Sequence, residues 1–128
     1  MLPDVSRSEP LRTNDFVRRH SRVPFSVPVA IHQLKAGIAK TVNGLSLDLS
    51  VGGFGVLVKG DLKTGDTVEL EFPLMERQLR LIAIVRYSSV DRSGLEFLGL
   101  TQEERTQISA HTVRTELATT QELARLMK

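Results

Sequence analysis

From Val23 to Phe97 the apolar residues recur at every second position, in short runs separated by turn residues. A period of two belongs to a strand, whose side chains alternate between two faces, and not to a helix. Val27, Val29 and Ile31 alternate with Pro28, Ala30 and His32. Pro24 and Pro28 place this first run at an edge or a barrel seam, because proline cannot donate to a ladder. The chain then turns between Gln33 and Lys40, with Gly37 as the pivot. Leu45, Leu47 and Leu49 alternate with Ser46, Asp48 and Ser50, so the leucines are expected inside and Asp48 and Ser50 on a shared outer face. Gly52-Gly53 breaks that run, and Phe54, Val56 and Val58 follow as a third. After the turn Leu62–Asp66 (LKTGD), Val68, Leu70 and Phe72 face one way and Thr67, Glu69 and Glu71 the other. A polar turn through Glu76–Gln78 leads to Arg80–Ser88 (RLIAIVRYS), which is apolar enough to read as a central strand. Asp91–Gly94 (DRSG) is a turn, and Leu95 and Phe97 bracket Glu96 in a short last strand. About six short strands imply a barrel or a sandwich. A barrel also removes the exposed edges of a small open sheet.

The two ends follow other rules. Thr101 followed by Glu104 has the spacing of a capping box. Glu103 and Glu104 suit the positive end of a helix dipole, and Arg125 and Lys128 the negative end. Val113, Leu117, Ala124 and Met127 follow helical spacing, which predicts one long helix or two short ones. Residues 1–15 hold Pro3 and Pro10 among polar residues with no period, and read as a flexible arm. The expected organisation is an arm over 1–15, a β-barrel over 16–100 and a helical segment over 101–128.

With 128 residues the chain suits one domain. No cysteine is present, which excludes disulfides, thiolate metal sites and thiol nucleophiles. The net charge of +2 supplies no basic field for long nucleic acid. No apolar stretch reaches the ~20 residues needed to cross a bilayer, and the polar N-terminus lacks a signal-peptide core. A cytoplasmic protein that does not insert into a membrane is therefore expected. His20, His32 and His111 are scattered, with no metal-ligand spacing, and neither a nucleophile elbow nor a P-loop occurs. No catalytic residue, metal or cofactor is assigned, and the chain reads as a binding protein rather than an enzyme.

Two segments carry recognition chemistry. Arg18, Arg19 and Arg22 fall within five residues (RRHSR), with no acid among them. Guanidinium forks pair two-pronged with phosphate and stack on flat bases. Alone, such a run reads first as a solvated basic linker. In Asp48–Gly53 (DLSVGG), a carboxylate can accept from the N1–H and N2 donors of guanine, and glycines allow close approach. Alone, that segment reads equally well as a strand end closing into a tight turn.

Taken together, an RxxxR segment followed by D-x-S-x-x-G resembles the signature of the PilZ domain. The first element is Arg18-Arg19-His20-Ser21-Arg22, and the second matches at Asp48, Ser50 and Gly53. Gly65 in LKTGD, the strand end IVRYS and the strand Gly94–Phe97 (GLEF) extend the resemblance over roughly residues 17–115. It implies a six-stranded antiparallel β-barrel of the PilZ-like split type with a C-terminal α-helix. It also implies binding of the bacterial second messenger cyclic di-GMP, with no other cofactor. By the same resemblance Arg18 and Arg22 clamp phosphate and guanine, joined by Arg19. Asp48 and Ser50 contact the ligand from the barrel surface, with Gly52 and Gly53 making room. Arg86 lies where relatives place a residue able to stack on a base. The ligand is expected to rearrange the arginine loop and so signal to a downstream protein that controls motility, exopolysaccharide or biofilm output. The receptor itself is expected to be a monomer or weak dimer. An adaptor of the same fold that binds protein without nucleotide remains an alternative, as does a weak binder of single-stranded nucleic acid, although one Tyr, five Phe and no Trp supply few stacking platforms.

Overall fold

The computed structural model describes residues 22–35, 37–59 and 62–127. They form seven strands and one helix: β1 (Val23–Pro24), β2 (Pro28–Lys35), β3 (Ile38–Ser50), β4 (Gly53–Val58), β5 (Thr67–Leu74), β6 (Arg77–Ser88), β7 (Arg92–Leu98) and α1 (Gln102–Leu126). All pairings are antiparallel. The sheet runs β1-β3-β2-β5-β6-β7-β4, and β4 pairs back onto β3. Six strands thereby close into a barrel, with the short β1 outside it on the edge of β3. The mainly β barrel with a C-terminal helix agrees with the expectation; the additional strand is the proline-containing pair Val23–Pro24.

Connections are tighter than the sequence suggests. Gly37, at φ 78°, turns β2 into β3 directly, so most of Gln33–Lys40 is strand. Met75, at φ 59°, does the same between β5 and β6, leaving Gln78 in a strand. Arg80–Ser88 is not covered on both faces: Leu81, Ala83 and Val85 are buried while Ile82 is 44% exposed.

Side-chain alternation is interrupted twice. Along β3, Val42 and Ser46 face inward, the register with β4 shifts between Ser46 and Asp48, and Leu49 then faces inward. An inserted residue changes the parity of everything beyond it. Leu45 is therefore exposed and Ser46 buried, which overturns the expected inward face of three leucines. The buried Ser46 hydroxyl donates to the carbonyl of Phe25 at 2.6 Å and accepts from the N–H of Val27 at 2.9 Å, pinning the β1–β2 connection. A second shift lies in β6 between Val85 and Tyr87, against β7.

The core packs Ile31, Leu49, Phe54, Leu70, Phe72 and Val85, all at most 2% exposed. Phe54 meets Phe72 and Phe97 at ring distances of 5.0 and 5.4 Å. Phe25 and Ile108 extend this cluster from the β1–β2 connection and from α1. The capping box is present: the Thr101 hydroxyl accepts from the Glu104 N–H, and the Glu104 carboxylate accepts from the Thr101 N–H. Such a cap contributes about 1 kcal/mol. Yet α1 buries only Ile108 and Thr112, while Val113, Leu117 and Met127 stand in solvent. The apolar spacing read from the sequence belongs to a face that the barrel leaves largely uncovered.

On the outer wall, His32 Nε2 lies 2.7 Å from the Glu71 carboxylate, which also accepts from Arg80 at 2.8 Å. The Arg80 hydrogen bond, followed by that of His32, holds the Glu71 carboxyl below its ordinary value. This cluster ties β2, β5 and β6 together across the surface.

Candidate functional site

One row of cross-strand neighbours organises the outer face of the barrel. Pro24 pairs with Asp48, Asp48 with Gly55, Gly55 with Gly94, and Gly94 with Tyr87. The adjacent row, with Leu49, Phe54, Leu95 and Val85, faces the core, so this one faces out. The two bulges set that parity at its ends, on β3 and on β6. Strands lie about 4.8 Å apart, so the row is a ledge across four barrel strands.

Glycine forms the floor of the ledge. Asp48 leans over Gly55: its Oδ1 accepts the Gly55 N–H at 2.8 Å, and a methyl on Gly55 would sit 3.4 Å from that oxygen. Tyr87 leans over Gly94 from the other side, and a methyl there would fall 2.1 Å from a ring carbon. A carboxylate and an aromatic ring thus approach each other across two residues without side chains. Arg22 donates to the same Oδ1 at 2.8 Å. Asp48 and Arg22 are 37% and 49% exposed at the side chain. Among the described residues Oδ2 accepts no hydrogen bond. The pairing of Arg22 with Asp48 joins the two segments that the sequence singled out 26 residues apart.

Ser50 differs from its expected place. It is 2% exposed, not on an open face beside Asp48. Its hydroxyl donates to the Gly53 carbonyl at 3.2 Å and accepts from the Gly52 N–H at 3.1 Å, so it braces the β3–β4 turn. The carbonyl of Gly52 in turn accepts from Phe97 N–H. A methyl on Gly53 would fall 2.0 Å from the Leu95 carbonyl oxygen, so the absent side chain is required by strand packing. The DLSVGG segment is thus a built turn that presents one carboxylate, Asp48.

Arg86 sits at the β6 bulge and pairs with Glu96 of β7. Tyr87, 52% exposed, is the aromatic side chain of the ledge. Sequence reading passed over it, since simple alternation after Ala83 and Val85 assigns it inward. The glycine opposite it was the available signal. Arg18 and Arg19 lie outside the described residues. Among the described residues no group of three His, Asp or Glu converges as a metal site, and no helix is long and apolar enough to cross a membrane. The ledge offers an acceptor, a guanidinium and a ring, which are groups for recognising a flat, hydrogen-bonding, anionic ligand.

Comparison with known proteins places the fold. The chain resembles the PilZ domain of YcgR from Escherichia coli with c-di-GMP, at 18% identity and a TM-score of 0.65, covering 84% of this chain and 97% of that one. It also resembles the inhibitor of motility MotI/DgrA of Bacillus subtilis, at 22% identity and a TM-score of 0.65, covering 79% of this chain and 51% of that one. The K. pneumonia MrkH–c-di-GMP complex matches at 15% identity and a TM-score of 0.63, covering 82% of this chain and 55% of that one. The chain thus corresponds to about half the length of the latter two proteins. No curated protein sequence matches it. The family model for the PilZ domain matches residues 16–114. That span takes in every barrel strand and the first half of α1, and the chain belongs to the PilZ domain family.

Proposed function

We propose that this protein is a cytoplasmic receptor for cyclic di-GMP that binds the nucleotide without transforming it and relays its presence to a partner protein. The observation that carries this reading is the Arg22–Asp48 pair set at the edge of the glycine-floored ledge. Asp48 Oδ2 accepts from the N1–H and N2 of a guanine, and Tyr87 supplies a face for the base. Arg22, with Arg18 and Arg19 from the preceding segment, neutralises the two phosphates. Ser50, Gly52 and Gly53 hold the turn that aims Asp48, and Arg86 borders the ledge from β6. Two structural relatives are complexes with c-di-GMP, which supports the ligand assignment.

Isothermal titration calorimetry with cyclic di-GMP tests the proposal. The native protein is expected to bind in the micromolar range. Arg22→Ala and Asp48→Ala are each expected to remove most of the affinity with the fold retained. No heat from folded native protein at high nucleotide excess refutes the proposal. It would favour the nucleotide-independent adaptor reading, which draws on the exposed Val113 and Leu117 of α1.

A further inference from the structure

Three connections, β2–β3, β4–β5 and β6–β7, share one end of the barrel, and two of them carry large apolar side chains in solvent. The β2–β3 ribbon projects furthest. Its last pairing with β5 is Gln33 with Val68, and on the other side β4 reaches only to Gly44. The pairs Leu34–Ala39 and Lys35–Ile38 continue beyond both. Leu34 is 72% and Ile38 69% exposed. They lie on opposite faces of the ribbon. Ile38 follows Val42 and Gln33 along the face that is buried within the barrel, and Leu34 follows His32 along the outer face. Val90, 91% exposed, stands on the β6–β7 turn. The Asp91 carbonyl ties that turn to the end of β4 by accepting the Val58 N–H at 2.9 Å.

Cations surround these tips. Lys40, Lys59, Lys63 and Arg92 are exposed at this end, against Asp66 and Asp91. One carboxylate oxygen of Asp66 accepts the Lys63 N–H at 3.1 Å, within its own turn. The opposite end of the barrel carries Glu76, Glu103 and Glu104 with Arg77. Apolar exposure and positive charge are therefore gathered at the same end.

We propose that this end of the barrel docks on an anionic lipid surface, with Leu34 and Ile38 of the β2–β3 tip seated among the headgroups and Lys59 and Lys63 on the lipid phosphates. The two-sidedness of the ribbon selects this occupant. A protein groove or sheet edge covers one face of a two-stranded ribbon, whereas a fluid interface closes around both. The size fits as well. Two residue pairs beyond the last β5 pairing reach about 7 Å, and apolar groups of interfacial proteins sit about 5–10 Å into the headgroup and acyl boundary. Lysines near an anionic surface each strengthen attachment about fivefold. No helix of the described residues is long and apolar enough to cross a membrane, so the contact is peripheral.

The nucleotide plays no part in this contact, so the test uses nucleotide-free protein. Co-sedimentation compares vesicles of phosphatidylcholine alone with vesicles in which about one third is phosphatidylserine. The native protein is expected to bind the anionic vesicles at least about tenfold more tightly, and less so as salt is raised. Leu34→Ser with Ile38→Ser, and separately Lys59→Gln with Lys63→Gln, are each expected to weaken that binding at least about tenfold at an unchanged melting temperature, since all four side chains are exposed. The chain has no tryptophan, so Ile38→Trp supplies its only indole. Its emission is expected to shift to the blue on anionic vesicles and to be quenched by brominated acyl chains, while that of Glu76→Trp at the opposite end stays unchanged. Equal binding to the two kinds of vesicle overturns recognition of anionic lipid. Binding that survives Leu34→Ser with Ile38→Ser, or a blue shift from Glu76→Trp and none from Ile38→Trp, places lipid on another surface and overturns the docking. Native protein that ignores both vesicles yet binds polyglutamate overturns it in favour of an acidic protein partner.

Discussion

Among the described residues Asp48 performs two tasks with one oxygen, and the other accepts no hydrogen bond. Oδ1 takes the Gly55 N–H and the Arg22 guanidinium. Asp48→Asn retains an oxygen for the Gly55 N–H but loses the charge. An exposed ion pair contributes about 0.2–1 kcal/mol, so thermal denaturation is expected to change little. Cyclic di-GMP affinity, by calorimetry, should fall at least about tenfold, because an amide that presents N–H donors to guanine leaves donors facing donors. Gly53 separates fold from recognition in the opposite way. Its added methyl meets a backbone oxygen that cannot move without breaking the β4–β7 pairing. Gly53→Ala is expected to destabilise by about 3 kcal/mol, read as a lowered midpoint in urea. Gly94→Ala meets a side chain instead. The half-exposed Tyr87 ring swings away at modest cost in stability, and nucleotide affinity should fall as much as in Tyr87→Ala. Calorimetry on the double variant checks this: a further loss beyond either single change shows that the two act separately.

At the scale of elements, α1 is joined to the barrel by few residues, and His111 is one of them. Its ring meets that of Phe25 edge-on at 5.2 Å, next to the buried Ile108. Burial, and after it the Arg114 charge, pushes the imidazole below its ordinary value. A histidine with a lowered folded pKa is held neutral in the native state, while the unfolded chain takes up the proton near its ordinary value of about 6.5. Stability from this group is therefore full above that value and declines as pH falls below it. Between about pH 7.5 and 5.5 the native protein is expected to lose more melting temperature than His111→Phe. Equal losses would show that His111 does not couple α1 to pH. The strands and the cap of α1 were legible in the sequence, because alternation and the Thr101–Glu104 spacing are local. The bulges were not. Whether Leu47 or Arg86 shifts the register depends on partner strands that lie elsewhere in the chain. The bulges put the two sides of each shift out of phase, so Leu45 was assigned inward and Tyr87 overlooked, while Ser50, assigned outward, is buried by its hydrogen bonds within the β3–β4 turn. Asp48 and Arg22 were found because their chemistry was visible without knowledge of the register. The exposed stripe of α1 was misread because helical spacing identifies an apolar face but not what covers it.

For the molecule as a whole, the ledge is a composite of distant chain segments. Asp48, Gly55, Gly94 and Tyr87 come from four strands, and the β3–β4 pairing that closes the barrel brings Asp48 onto Gly55. An unfolded chain offers none of this arrangement, so a ligand of the ledge binds only the folded state and stabilises it by mass action. At a free concentration one hundred times its Kd the stabilisation is about 2.7 kcal/mol. For a domain of this size that corresponds to a rise of about 10 °C in melting temperature. Because the net charge is only +2, long-range attraction of the nucleotide is weak, and the shift has to come from local contacts. Differential scanning fluorimetry with cyclic di-GMP should therefore show a rise in the native protein that falls to about half or less in Asp48→Asn. The rise should shrink with added salt, as the arginine–phosphate contacts are screened. A shift of undiminished size in Asp48→Asn would place the nucleotide on some other surface of the barrel, and with it the whole account of the ledge would fall.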